Sequence, residues 1–404
     1  MSQENTFSKY QIFIVALLAF LQFTLVLDFM VLSPLGAQLM QELTISAQQF
    51  GWVVSAYAFA AGASGLLAAG FADRFDRKKL LLFFYAGFIA GTFLCGIAPG
   101  YWLLLAARII TGIFGGVIGS IVFAITTDLF AVQVRGRVMG FVQMAFAVSQ
   151  VLGLPIALYL ANAWDWHAPF LLIVAVSLPV WALVWWKMQP VDEHLSIQST
   201  HSPFRHLQNT ISKPRYLRAF TATTLLATGG FMLMPFGSAF SVHNLGITLE
   251  DLPLIYLVTG IVSMIAGPLL GRYVDKIGSF PLFLGGTAVA MVLIIYYTNL
   301  GPTPLWLLIV INAALFVGLT SRMISSTTLM TQVPTPADRG AFMGVNASVS
   351  QISGGIATAI AGLIVVKQPS GYLEHYPTLG WVVAISMVIC IVLMWRIYKE
   401  VRDQ

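Results

Sequence analysis

Three charged side chains stand where charge is expensive. Asp28 lies in "LVLDFMVLSPLG" (25–36), within a stretch from Tyr10 to Glu42 that carries no other charge, Arg108 in "LLAARIITGIFGG" and Arg322 in "GLTSRMISS". An ionisable group in hydrocarbon is costly and marks a pathway or a partner. Burial favours the neutral form of Asp28, whereas a nearby guanidinium favours the carboxylate. An acid held between those opposed effects releases its proton when substrate or conformation changes its surroundings, which is the chemistry of proton coupling. The bland alternative is a permanent ion pair that orients two helices. Arg322 has no acid to match it within the later helices. A lone guanidinium needs water or an anion, and its planar fork suits a carboxylate or phosphate; otherwise it reaches backbone carbonyls or snorkels. With Asp28, Arg108 and Arg322 together the intramembrane balance is positive, so the expected ligand is an anionic or neutral amphiphile rather than a cation.

Uncharged polar residues in the same apolar stretches, Gln22, Tyr57, Gln143, Gln150, Asn312, Asn346 and Gln351, are candidates to line a substrate path. Such groups equally glue helices together. Met234, with Phe231, Met232 and Phe236, offers an adaptable apolar wall. A second charged group is compact: Asp73 and Asp76 alternate with Arg74, Arg77, Lys78 and Lys79, close to the expected helix ends at Asp128 and Arg339. Charges so arranged can latch two bundles in one conformation and part in the other, or simply form a solvated basic loop. His194, His201 and His206 fall in a polar interval without cysteines or regular spacing, and no metal site is expected. Cys95 and Cys390 read as small buried hydrophobes. No HExxH, GxxxxGK[ST] or GxSxG pattern occurs, so neither enzyme chemistry nor a cofactor has support.

The elements that must position these residues follow from composition. Of 404 residues 58% are hydrophobic and 9% charged, with a mean hydropathy of +0.84, the signature of an integral membrane protein. Twelve apolar, charge-poor segments are expected, at roughly 10–36, 47–71, 80–98, 102–130, 138–161, 168–187, 217–242, 252–272, 279–299, 304–331, 340–366 and 378–397. The first lacks a small-residue cleavage site and is expected to remain in place. With the amino terminus inside, every Lys and Arg except Arg108, Arg322 and Lys367 falls on the cytoplasmic face, which places both termini in the cytoplasm and the chain in the inner (plasma) membrane. The net charge of +5 therefore orients the protein in a bilayer and does not imply nucleic acid. By helix rise, Asp28 and Arg108 lie ~12 Å and ~9 Å below the outer surface, a shared depth, and Arg322 lies ~13 Å above the inner one.

The polar interval from Met188 divides the chain into a first bundle (1–187), a linker (188–216) and a second bundle (217–404). Sliding one half over the other gives ordered matches: "DFMVLSPLG" at 28–36 against "GFMLMPFG" at 230–237, "AGFADRFDRK" at 69–78 against "GRYVDKIGSF" at 271–280, and "RGRVMGF" at 135–141 against "RGAFMGV" at 339–345. Asp73 thus falls over Asp275, and Asp28 over Gly230. Six spans per half give both halves the same topology, the layout of a rocking two-bundle transporter.

On these motifs the chain resembles the major facilitator superfamily, and within it the twelve-helix drug and metabolite proton antiporters. "AGFADRFDRKKLL" is similar to the family's GxLaDRxGRKxxL signature at Asp73, Arg74, Arg77 and Lys78, with Ala69 and Asp76 where glycine is usual. "LLAARIITGIFGG" carries the arginine and glycines of the fourth-helix signature. In "VLGLPIALYL" the antiporter signature's glycine and proline, Gly153 and Pro155, are separated by Leu154. The resemblance implies an all-α fold of two pseudo-symmetric six-helix bundles and a gating role for Asp73, Arg74 and Arg77, with Asp128, Asp275 and Arg339 alongside. It implies proton-coupled export of a small organic or amphiphilic compound by a monomer in the lipid bilayer, and the opposed effects of burial and guanidinium make Asp28 and Arg108 the expected coupling residues. An uncoupled facilitator or importer of a metabolite, or a non-transporting receptor or scaffold with this fold, is the alternative.

Overall fold

The computed structural model describes residues 7–68, 74–192, 195, 211–335 and 338–402, without the side chains of residues 132, 133, 275 and 340. Among these residues twelve helical segments are long and apolar enough to cross a membrane. In chain order the first half holds α1 (Lys9–Val31), α2 (Gly36–Glu42), α3 (Ala47–Ala68), α4 (Arg77–Cys95), α5 (Tyr101–Leu129), α6 (Val132–Val148), α7 (Leu154–Ala163) and α8 (Ala168–Lys187). The second holds α9 (Pro214–Phe231), α10 (Gly237–His243), α11 (Leu252–Ile277), α12 (Ser279–Thr298), α13 (Leu305–Met330), α14 (Arg339–Ile364) and α15 (Tyr376–Arg402). A π-helical turn, Ser149–Gly153, joins α6 to α7 within one span. A small antiparallel hairpin, β1 (Val366–Lys367) with β2 (Leu373–Glu374), links α14 to α15.

The first span departs from expectation in a way its sequence explains. The segment expected at 10–36 is no single helix: α1 stops at Val31, residues 32–35 turn, and α2 resumes at Gly36. Pro34 lacks an N–H and disfavours helical backbone in the residue before it. The repeat in the second half breaks at the same place, with α9 ending at Phe231, Pro235 in a 3-10 turn at Met234–Phe236, and α10 beyond. The two breaks meet: Gly36 lies so close to Pro235 that a Cβ would stand 3.0 Å from the Pro235 carbonyl oxygen, and Ser238 Oγ donates to Ser33 O at 3.0 Å. Phe50 packs edge-on against Phe236 beside them.

With an even number of spans both termini lie at one end of the bundle, and α2, α10 and the hairpin at the other, the far end. Hydrogen bonds between the halves among the described residues lie there. Besides Ser238 to Ser33, Asn162 Nδ2 donates to Leu249 O at 2.8 Å, and Lys367 Nζ donates to Met40 O at 2.6 Å. Lys367 is partly buried, and desolvation holds its ammonium below the usual lysine range. Deeper in the bundle the halves touch along α3 and α14, where glycines permit near backbone contact. The Gly51 Cβ position is 3.3 Å from Gly362 Cα, and that of Gly62 is 3.1 Å from Ser348 O. Small residues serve helix pairs in this way because lipid offers no hydrophobic gain for association. Gly278, at φ +89°, is the single residue between α11 and α12, a backbone conformation that favours glycine.

Candidate functional site

The shared depth of Asp28 and Arg108 becomes direct contact. Arg108 Nη1 donates to Asp28 Oδ2 at 2.8 Å, with the two residues 1% and 0% exposed. Thr92 Oγ1, from α4, donates to the other carboxylate oxygen at 3.1 Å. The Arg108 guanidinium carbon lies 4.5 Å from the centre of the Tyr57 ring, a cation–π contact in a dry setting. Arg108 Nε has no hydrogen-bond partner among the described residues. A buried pair whose hydrogen-bonding capacity is incompletely met is costly to keep charged and costly to break.

The backbone arrangement that permits this is legible in the glycines of α5. Gly112 and Gly116, four apart, face α3 so closely that a Cβ on either would fall 2.5 Å from the Tyr57 carbonyl oxygen or 2.3 Å from that of Ala61. On its other side α5 meets α4, where a Cβ on Gly91 would stand 2.6 Å from Thr111 Oγ1. These approaches bring Tyr57, Thr92 and Arg108 from three helices around Asp28 on a fourth.

The charged residues at the terminal end form ties within each half. Arg77 Nε donates to Asp128 Oδ2 at 3.1 Å, joining the start of α4 to the end of α5. Asp76 caps α4, accepting from Lys78 N at 2.9 Å, and the same oxygen accepts from Val191 N at 3.0 Å, so it also holds the start of the linker. The residue that replaces the usual glycine is therefore a clamp. Arg135 donates to Phe130 O and Thr127 O, satisfying carbonyls at the end of α5. In the second half Asp338 Oδ2 accepts from Lys213 Nζ at 2.5 Å, Tyr216 Oη at 2.7 Å and Thr335 Oγ1 at 3.0 Å. These donors, Lys213 foremost, hold its carboxyl at about 2, well below the usual range. Arg74 and Arg339 are exposed. Asp73 and the Asp275 side chain lie outside what is described.

A cavity of about 200 Å³ opens between the halves and reaches into the second. Met30, Phe146, Gln150 and Leu154 form its wall from the first half. The second half contributes Met234, Leu233, Phe316 and Leu319 as apolar surface, and Tyr256, Thr259, Tyr297, Asn312 and Tyr376 as polar handles. Thr259 Oγ1 is buried without a hydrogen-bond partner among the described residues. Gln150 sits in the π-helical turn, a local distortion that often marks function. Opposite it Gly260 would bring a Cβ to 3.0 Å from the Gln150 carbonyl oxygen.

Of the residues expected to line a path, Gln150, Met234 and Asn312 face this cavity, whereas Gln22, Gln143 and Gln351 do not. Gln143 is exposed on the bundle surface. Asn346 instead accepts from Thr223 Oγ1 at 2.6 Å, tying α14 to α9, and Tyr57 belongs to the ion pair. Arg322 lies one helical turn beyond Leu319, 4% exposed, behind Gly229 of the cavity wall. Thr92 and the three cavity tyrosines were not singled out by sequence, although a tyrosine inside a span, apolar with one polar tip, is a usable signal. The pair and the cavity are neighbours: Phe29 packs between Tyr57 and Phe231 at centroid distances of 5.6 and 5.9 Å, and the adjoining Met30 and Gly230 line the cavity.

Comparison with known proteins agrees with the fold. The Major Facilitator Superfamily sequence profile matches residues 18–358. The chain is 30% identical over 261 residues to the uncharacterized MFS-type transporter YceJ of Bacillus subtilis, a match spanning 64% of this chain and just under two thirds, 66%, of that protein. It is 26% identical over 255 residues to multidrug resistance protein 2 of Bacillus subtilis, covering 61% of this chain and 62% of that one. It is 22% identical over 226 residues to a probable sugar efflux transporter of Helicobacter pylori, covering 56% of each. Among solved structures the fold is similar to a point mutant of the nucleoside transporter NupG, with TM-score 0.77 at 14% identity, covering 96% of this chain and 99% of that one. A bacterial homolog of the human lysosomal transporter Spinster, in an inward-facing and occupied conformation, gives TM-score 0.75 at 15% identity over 98% of both chains.

Proposed function

This chain belongs to the major facilitator superfamily, and on that premise we propose that it is a proton-coupled exporter of a small organic or amphiphilic compound, working by alternating access. The reading puts the termini in the cytoplasm of a cell whose inner membrane holds the protein. It takes residues 1–187 and 217–404 as the two rocking units.

The observation that carries the proposal is the sealed Asp28–Arg108 pair with a direct packing route to the cavity. Substrate entering beside Gly230 and Met30 displaces Phe231 and Phe29. That motion shifts Tyr57 from the guanidinium and changes the balance between burial and the Arg108 contact that sets the protonation of Asp28. Arg108 and a proton compete for one carboxylate, so occupation of the cavity and protonation of Asp28 become linked. On the terminal side Arg77 with Asp128, and Asp76 with the linker, keep the ends of the first bundle rigid while it moves. The far-end hydrogen bonds, Ser238 to Ser33 and Lys367 to Met40, must part for the cavity to open outward.

The test uses purified protein in liposomes with an imposed pH gradient and substrates drawn from a thermal-shift screen. Wild-type protein is expected to move substrate against its gradient when the pH gradient is present. Asp28→Asn is expected to bind substrate and lose gradient-driven movement. Full transport by Asp28→Asn with unchanged pH dependence would overturn coupling and leave a facilitator.

A further inference from the structure

The guanidinium of Arg322 is buried without a counter-charge among the described residues. Its Nε and Nη2 have no hydrogen-bond partner among the described residues. Its surroundings are the Phe283 ring, with the guanidinium carbon 5.8 Å from the centroid, and the Cys390 thiol. The acids of the second half, Glu250, Asp251, Asp275, Asp338, Glu374, Glu400 and Asp403, all lie in loops, at helix ends or in the tail. An arginine stays charged in proteins, and a buried charge without pairing carries a desolvation cost that structures normally relieve with an anion.

Gly229 forms part of the cavity wall, and a Cβ there would stand 3.3 Å from Arg322 Nη1 and 3.9 Å from Nη2. The absence of a side chain at 229 is therefore what separates the guanidinium from the cavity by no more than backbone. Leu319, one turn nearer the far end on α13, also lines the cavity, and Arg322 lies one turn below it, behind Gly229. The lining is mainly apolar and aromatic, with Tyr256, Tyr297 and Tyr376 among it.

We propose that Arg322, reached past Gly229, is the anchor for the anionic head of the transported molecule, which is a small amphiphilic carboxylate whose apolar body lies in the cavity. The inference deepens the transport reading and rests on it for its biological use, while the binding claim stands on Arg322 alone. A carboxylate matches the fork of a guanidinium in two parallel hydrogen bonds and supplies the missing charge. A cation of the same shape meets an unrelieved positive charge, and a neutral analogue leaves the buried donors half satisfied.

The experiment measures equilibrium binding of three matched probes, 3-phenylpropionate, 3-phenylpropionamide and 3-phenylpropylamine, to the full chain in lipid nanodiscs. Wild-type protein is expected to prefer the carboxylate to the amide by at least about tenfold and to the amine by more. Arg322→Gln is expected to erase the preference, and Arg322→Lys to restore part of it, which separates loss of charge from loss of fold. Gly229→Val, which places a branched side chain between guanidinium and cavity, is expected to erase it while Arg322 remains. Equal binding of all three probes by wild-type protein, or a preference that survives in folded Arg322→Gln, would overturn the inference and leave a guanidinium served by water only. Proton release recorded on the same samples reports coupling separately. Anion preference without proton movement would sink only the coupling, and proton movement with a neutral ligand but no anion preference would sink only the anchor.

Discussion

Replacing Gly116 by alanine tests whether close approach of α5 to α3 is what assembles the ion pair. A Cβ at 116 would fall 2.3 Å from the carbonyl oxygen of Ala61 and 2.5 Å from its Cα, against an ordinary contact distance beginning near 3.4 Å. Both atoms are backbone, so no rotamer relieves the clash and the helices must part by about 1 Å, a large shift in an interior packed like a crystal. Overpacking of this kind costs about 1–3 kcal/mol. Alanine returns up to ~1 kcal/mol of helix propensity. Gly119, one turn on, is the control, because nothing lies within 4 Å of its Cβ position and alanine there gains propensity alone. The two variants should differ by about 1–3 kcal/mol, roughly 5- to 150-fold in the ratio of folded to unfolded protein. Heating each in the same detergent and measuring the fraction that remains monodisperse by fluorescence-detected size exclusion gives the comparison. The separation should also loosen the 4.5 Å contact of Arg108 on Tyr57, two turns along α5. If Gly116→Ala survives heating as well as Gly119→Ala, the close approach is not structural and the argument for how Arg108 is positioned fails.

Other outcomes are expected from the ties at the terminal end. The Asp338 carboxyl is held at about 2, below its ordinary 3.8, so it stabilises the fold above pH 4 and loses that contribution as pH falls from about 4 toward 2. Thermal unfolding of wild type and Asp338→Asn across that range should show a gap that is constant above about pH 5 and closes near pH 2; a gap unchanged at low pH would contradict the assignment. Arg77→Gln and Asp128→Asn should each lower stability, and the double variant should cost less than their sum by about 0.5–3 kcal/mol, since they share one bond at 3.1 Å. Strict additivity in a double-mutant cycle would show that the two groups act independently.

Helix positions and the pair at their centre were readable in the sequence for different reasons. Twelve spans follow from the need of every backbone group in lipid for an internal partner, which makes apolar length a direct signal. Asp28 and Arg108 were found because charge in such stretches is rare, and helix rise assigns depth without any knowledge of packing. Rise does not assign azimuth, which is why Gln22, Gln143 and Gln351 share the spans of the site but not the cavity. The repeat "DFMVLSPLG" and "GFMLMPFG" carries both breaks, although apolar length alone runs the first helix on to residue 36. The cavity itself was not legible. Tyr256, Tyr297 and Tyr376 meet only after α11, α12 and α15 have packed, and nothing local distinguishes them from tyrosines that serve as interface anchors. The role of Asp76 depended on Val191, more than a hundred residues away, finding its carboxylate.

The central claim is that binding in the cavity changes the protonation of Asp28. Its most direct measurement is the proton released or taken up when the strongest stabiliser from a thermal-shift screen binds purified protein in weakly buffered solution. Wild-type protein is expected to exchange protons on binding, and Asp28→Asn to bind the same compound with no exchange. Equal proton exchange by both proteins would contradict the account and return the Asp28–Arg108 bond to a structural role.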